Sequence, residues 1–177
     1  MKKNQEKVAF LLADGYEDSE MKNPYEAITR NGNAAVIIGL EKEAELRGKK
    51  GTIAYTTHLS IDEANPDDYR AVVIPGGQSP EKLMENEAVL DFLRDANEKG
   101  ITISAICHGP LLLSKAGLAQ GRHFTSYAGV AEEIAKEGGV YSDKPVVVDD
   151  NLITSRGPDD ESYFIEETIR KLGVSAY

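Results

Sequence analysis

Short apolar runs separated by helical patterns most restrict the fold of this 177-residue chain. They are "VAFLLA" at 8–13, "AAVIIGL" at 34–40, "AVVI" at 71–74 and "ITISAI" at 101–106. A strand with one wet face alternates polar and apolar residues, whereas a strand covered on both faces does not. Between and after these runs the spacing predicts helices over 20–29, 87–98, 110–116, 130–136 and 160–172. The first has Pro24 in an early turn, where proline is tolerated, and is stopped by Asn31-Gly32. The second puts Val89, Leu90, Leu93 and Ala96 on one stripe and stops at Gly100. Alternating strands and helices of this kind imply an α/β three-layer sandwich, a mostly parallel central sheet with helices on both faces. Hairpins are expected where "RGKKGTIAYTT" divides 46–57 and where Asp150-Asn151 separates 146–149 from 152–155. With no repeat, linker or low-complexity segment, 1–177 reads as a single domain.

Composition narrows the function classes. Apolar residues make up 41% and charged residues 28%, ordinary for a soluble globular protein. No apolar stretch approaches the roughly 18 residues of a membrane helix, so no membrane partner is expected. The N-terminal apolar run is too short for a signal peptide and ends in acids. One cysteine makes no internal disulfide, and the expected location is the cytoplasm. A net charge of −10 disfavours nucleic acid. The densest basic cluster, Arg47, Lys49 and Lys50, reads as a solvated hairpin end.

That one cysteine is Cys107, in "AICHGP". The strand before it delivers it to the carboxyl edge of the sheet, where open α/β folds place ligands. The helix after it directs its positive end at the sulfur, which is expected to lower the thiol pKa. A sharp strand-to-helix turn of this kind is a nucleophile elbow, and Gly109 supplies a small residue for it. A buried core cysteine is the competing reading, and the following His-Gly-Pro tips the balance towards a site. Adjacent residues on a helix point apart, so His108 serves as a base only if the elbow turns both side chains inward. Otherwise it is a solvated helix cap. His58 and His123 read as surface residues, and the histidines show no metal-ligand spacing.

Two further pieces share the edge. Residues 14–20, "DGYEDSE", follow the first strand, so one of their carboxylates can reach the thiol. Burial and the thiolate charge would keep that acid protonated, able to donate to sulfur and to shuttle a proton. Spacing leaves open which acid this is, and Asp18 or Ser19 is expected to cap the next helix. Pro75-Gly76-Gly77 lets backbone N–H groups approach a ligand closely, as an oxyanion hole requires.

Together "ADGYEDSE", "VVIPGGQSPEKL", "AICHGP" and "ITSRGPDD" resemble the PfpI family of the ThiJ/PfpI superfamily, over about 7–173. The superfamily includes the Parkinson-disease protein deglycase and the class I glutamine amidotransferases. The resemblance implies a flavodoxin-like domain with Cys107 as nucleophile, His108 as its catalytic neighbour and Glu17 as the acid bonded to sulfur. It implies an oxyanion site at Gly76, Gly77 and the His108 backbone. It implies that Glu81 orients the histidine from a neighbouring subunit, and that Tyr16, Tyr127, Arg156 and Pro158 lie about the pocket. Tyr16 stands where the family usually has phenylalanine, and Ala128 where it has proline. The downstream His and Glu pair of a glutamine amidotransferase is missing, which argues against glutaminase chemistry.

The implied activity is that of a stress-response enzyme with no cofactor or metal. Its substrate would be a small carbonyl compound such as methylglyoxal, converted to lactate, or an early adduct of such a compound with an amine. The alternatives are a cysteine peptidase acting on peptides as a hexamer, and a redox sensor or chaperone with an oxidisable cysteine. A homodimer is the expected assembly.

Overall fold

The computed structural model describes residues 6–173. In chain order the elements are β1 (Lys7–Leu11), α1 (Asp18–Arg30), β2 (Ala34–Gly39), β3 (Glu45–Arg47), β4 (Ala54–Thr56), β5 (Leu59–Ser60), β6 (Ala71–Ile74), α2 (Ser79–Leu83), α3 (Glu87–Glu98), β7 (Thr102–Ile106), α4 (Gly109–Lys115), β8 (His123–Phe124), α5 (Ala128–Lys136), β9 (Val140–Tyr141), β10 (Val146–Asp149), β11 (Leu152–Ser155) and α6 (Glu161–Leu172). The central sheet runs β10-β11-β7-β6-β1-β2-β5, with β10 antiparallel to β11 and the other pairs parallel.

The uninterrupted apolar runs have the consequence expected of them. Alternate residues of one strand point to opposite faces. Ala9, Leu11, Val72, Ile74 and Ala105 pack with Val89 and Leu93 of α3 and Leu112 of α4. Val8, Phe10, Val73 and Ile106 pack on the other face with Met21 and Ile28 of α1 and Phe164 of α6. Both faces are therefore dry, and the sandwich has three layers. From β1 the chain runs outward to β2 and β5, then returns to place β6 on β1's other side. This reversal opens a crevice beyond the carboxyl ends of β1 and β6, the usual ligand position in such sheets. The elbow after β7 adjoins it.

The expected hairpin at 46–57 forms as the β3–β4 pair, a two-stranded sheet of its own. It is stitched to the loop after β1. The Tyr16 hydroxyl donates to the Leu46 and Ile53 carbonyls at 3.2 and 2.9 Å, and Lys49 N–H donates to the Tyr16 carbonyl at 2.8 Å. The short α2 was not expected, because five residues give no readable period. Helix α5 begins at Ala128. Proline fits a first helical position, so alanine there leaves the helix start intact.

Candidate active site

Cys107 lies between β7 and α4 with φ +65°. A non-glycine residue there carries a strain of about 1–3 kcal/mol, which its surroundings must hold in place. Cys107 N–H donates to the Ser155 carbonyl at 3.0 Å, and its own carbonyl accepts from Tyr127 N–H at 2.9 Å. Two residues on, a side chain at Gly109 would meet the Ile74 carbonyl at 2.8 Å, so only glycine lets α4 start this close to β6. The elbow is real, and it meets the condition set for His108. His108 Nδ1 lies 3.3 Å from Cys107 Sγ. Its ring stacks on Tyr127, centroids 4.8 Å apart and planes 26° apart.

The acid beside the thiol is Glu20, not Glu17. Glu20 is fully buried, and its Oε1 accepts Gly76 N–H at 2.8 Å. A Cβ on Gly76 would stand 2.5 Å from Glu20 Oε1 and 2.6 Å from Cys107 Cβ, so carboxyl and thiol flank this glycine. Glu20 Oε2 is buried without a hydrogen-bond partner. Burial pushes Glu20 up to about 8, with Glu17 and Glu161 adding to it against the Gly76 N–H. Glu17 is instead the residue before the first turn of α1 and turns to the rim, with Oε1 3.2 Å from Lys49 Nζ. The reason is helical geometry. Glu20 shares the buried face of α1 with Met21, Pro24 and Ile28, whereas Glu17 precedes the helix. The expected cap is absent too. Asp18 Oδ1 accepts Lys50 N–H at 3.3 Å, and the Ser19 hydroxyl donates to Glu161 at 2.5 Å.

The thiol pKa moves opposite to the sequence expectation. Burial first, then Glu20, push Cys107 up to about 12, against the backbone N–H groups of Gly77 and His108 that point at the sulfur. Helix α4 has only seven residues, and its end does not outweigh a dry site lined by carboxyls. Cys107 and Glu20 repel one another's charge, so ionisation of one opposes ionisation of the other. Burial also lowers His108, while Glu81 opposes that shift and Lys49 adds to it. Glu81 of the same chain, on α2, therefore already bears on His108.

The remaining expected site residues divide. Gly77, with φ +80°, brings its N–H to the sulfur, and Tyr127 covers His108 while half-exposed. Tyr16 is fully buried, and its hydroxyl belongs to the hairpin contact. Arg156 and Pro158 follow Ser155, whose carbonyl accepts the Cys107 N–H. Arg156 is held by Asp160 at 2.8 and 3.1 Å and by Asp143 at 3.0 Å, beside a 220 Å³ cavity that Pro158 helps line. Sequence reading missed Lys49, which it placed in solvent, and Glu161. Among the described residues no group of three or more His, Cys, Asp or Glu is arranged to hold a metal ion, and no helix is long and apolar enough to cross a membrane.

This combination of elbow, glycine pair and buried glutamate coincides with a match over residues 6–171 to the DJ-1/PfpI family model. The chain belongs to the DJ-1/PfpI family. It is 37% identical over 169 residues to protein/nucleic acid deglycase 2 of Escherichia coli, covering 95% of this chain and 98% of that protein. It is 37% identical over 167 residues to general stress protein 18 of Bacillus subtilis, covering 94% and 97%. Among solved structures it is similar to DJ-1 of Schizosaccharomyces pombe, with a TM-score of 0.85 at 26% identity, covering 94% and 92% of the two chains. The resemblance read from the four motifs therefore holds, as does the flavodoxin-like fold.

Proposed function

We propose that the protein is a cytoplasmic, cofactor-independent enzyme of the glyoxalase and deglycase type, acting as a homodimer on reactive 2-oxoaldehydes with Cys107 as nucleophile. The observation that carries this reading is the buried pairing of Cys107 with Glu20 across Gly76. The names of the relatives, a deglycase and a general stress protein, support it.

Loss of one proton from the pair gives the reactive state. Cys107 Sγ bonds to the aldehyde carbon of methylglyoxal, and the aldehyde oxygen takes up a proton to form a hemithioacetal. The Gly77 and His108 N–H groups, which point at the sulfur, stabilise the oxygen as charge develops on it. Glu20 then removes the proton from that carbon to give an enediol and returns it to the neighbouring carbon. The product is a lactoyl thioester of Cys107. Water hydrolyses it, releasing lactate and restoring the thiol, so methylglyoxal plus water gives lactate with no net oxidation or reduction. A buried carboxyl with a pKa near neutrality suits both proton transfers.

The 3.3 Å contact between His108 and Cys107 favours a second reading, a cysteine peptidase. It asks His108 to protonate a leaving amine, and burial works against that charge. The test is lactate formation from methylglyoxal by wild type and Cys107→Ala. Turnover lost by at least about 100-fold in the variant, roughly 2.7 kcal/mol of transition-state stabilisation, supports the first reading. Peptide cleavage by wild type with no lactate would overturn it.

A further inference from the structure

The β3–β4 hairpin is not part of the central sheet, yet the site is built against it. Gly15 N–H donates to the Arg47 carbonyl at 2.9 Å, and Arg47 N–H donates to Asp14 Oδ1 at 2.9 Å. With the Tyr16 and Lys49 contacts described above, these bonds fix the hairpin tip on the loop that leads into α1. A Cβ on Gly48 would lie against the Asp18 carboxylate, so the tip has no room to shift towards α1. The tip therefore holds Lys49 in one place. Its ammonium is 3.2 Å from Glu17 Oε1, and Glu17 N–H donates at 3.2 Å to the carbonyl of Gly76, the glycine between Glu20 and Cys107.

We propose that Lys49, placed by the docked hairpin, is a positioning residue that favours ionisation of the Cys107–Glu20 pair, while the Glu17 carboxylate beside its ammonium opposes it. The inference rests on the reading of Cys107 as nucleophile. The groups facing the pair are Glu17 from the loop before α1, His108 from the elbow and Lys49 from the hairpin, with Glu161 of α6 behind Glu20 and Glu81 of α2 beyond His108. The carboxylates resist a new negative charge, and Lys49 is the cation among these groups that welcomes it. Half its side chain is exposed, so its effect is screened by water and salt and is moderate in size. Removing Lys49 and removing the charge of Glu17 must then act in opposite directions. A purely structural role of the pair would move both variants the same way.

The experiment is the rate of Cys107 alkylation by iodoacetamide, a neutral probe, from about pH 6 to 10 in wild type, Lys49→Met, Lys49→Arg and Glu17→Gln. It needs no substrate turnover, so it stands or falls apart from the 2-oxoaldehyde reading. The expected result at about pH 8 is a threefold to tenfold loss in Lys49→Met, roughly the span of one moderate charge interaction, with Lys49→Arg near wild type and Glu17→Gln faster. Wild-type rates in Lys49→Met overturn the proposal. So does equal slowing in Lys49→Arg and Lys49→Met, or slowing in Glu17→Gln. A wild-type thiol that fails to alkylate below about pH 10 would overturn it together with the nucleophile assignment.

Discussion

Replacing Glu20 by glutamine should stabilise the protein at alkaline pH while disabling the site. Glu20 is fully buried, and its pKa is raised from 4.5 to about 8. A group raised on folding adds stability that is complete below its unfolded pKa and is lost as pH rises through the folded one. Wild type thus loses Glu20's contribution progressively between 4.5 and about 8. A tenfold difference in proton affinity between the folded and unfolded chain is worth about 1.4 kcal/mol, so between about pH 5 and 8 this single group removes roughly 3–4 kcal/mol. Glutamine keeps an oxygen for the Gly76 N–H and has no proton to lose, so Glu20→Gln escapes this decline. Other titrating groups are common to both proteins and largely cancel in the difference. The assay is urea unfolding at fixed protein concentration, at about pH 5 and pH 8. With a slope of about 2 kcal/mol per molar, the gap between variant and wild type should widen by more than about 1 M in urea midpoint. Curves that stay parallel, with the gap changing by less than about 1 kcal/mol, would show that Glu20 is not held neutral by burial.

Two other substitutions probe how the site is supported. Gly76→Ala places a methyl group against Glu20 Oε1, Cys107 Cβ and the Ile106 carbonyl, at 2.5, 2.6 and 2.8 Å. Thermal unfolding should show a loss of about 1–3 kcal/mol, and lactate formation should fall at least tenfold. Tyr16→Phe removes the hydroxyl that binds the Leu46 and Ile53 carbonyls. It should cost about 1–3 kcal/mol by chemical denaturation and raise amide exchange across the hairpin, while an unchanged hairpin would contradict the docking described.

The layers of the fold were legible in the sequence because both-face burial leaves a simple trace. Val73 and Ile74 point to opposite sides of the sheet, yet both must be apolar. The elbow was legible for a similar reason. A single cysteine after a buried strand, followed by glycine and proline, meets few other structural needs. The choice between Glu17 and Glu20 was harder. It depends on where α1 begins, because Glu17 and Glu20, three residues apart, would share one face of a helix that held both, and only the start at Asp18 leaves Glu17 outside it. The buried stripe of Pro24 and Ile28, extended back one turn, does pass through Glu20 and not its rim neighbour. The thiol's raised pKa and the role of Lys49 left no such trace. The first arises from burial and from Glu20, brought together across the sheet edge, and the second from a hairpin far along the chain folding back over the loop after β1, which local composition describes only as basic and solvated.

The central claim is that Glu20 moves the proton for Cys107. Its most direct test is kcat/KM for lactate formation from methylglyoxal in Glu20→Gln and Glu17→Gln, measured side by side. The expected result is a fall of at least about 100-fold in Glu20→Gln and a change of less than about tenfold in Glu17→Gln. A Glu20→Gln enzyme that keeps its activity, or one that outperforms Glu17→Gln, would contradict it.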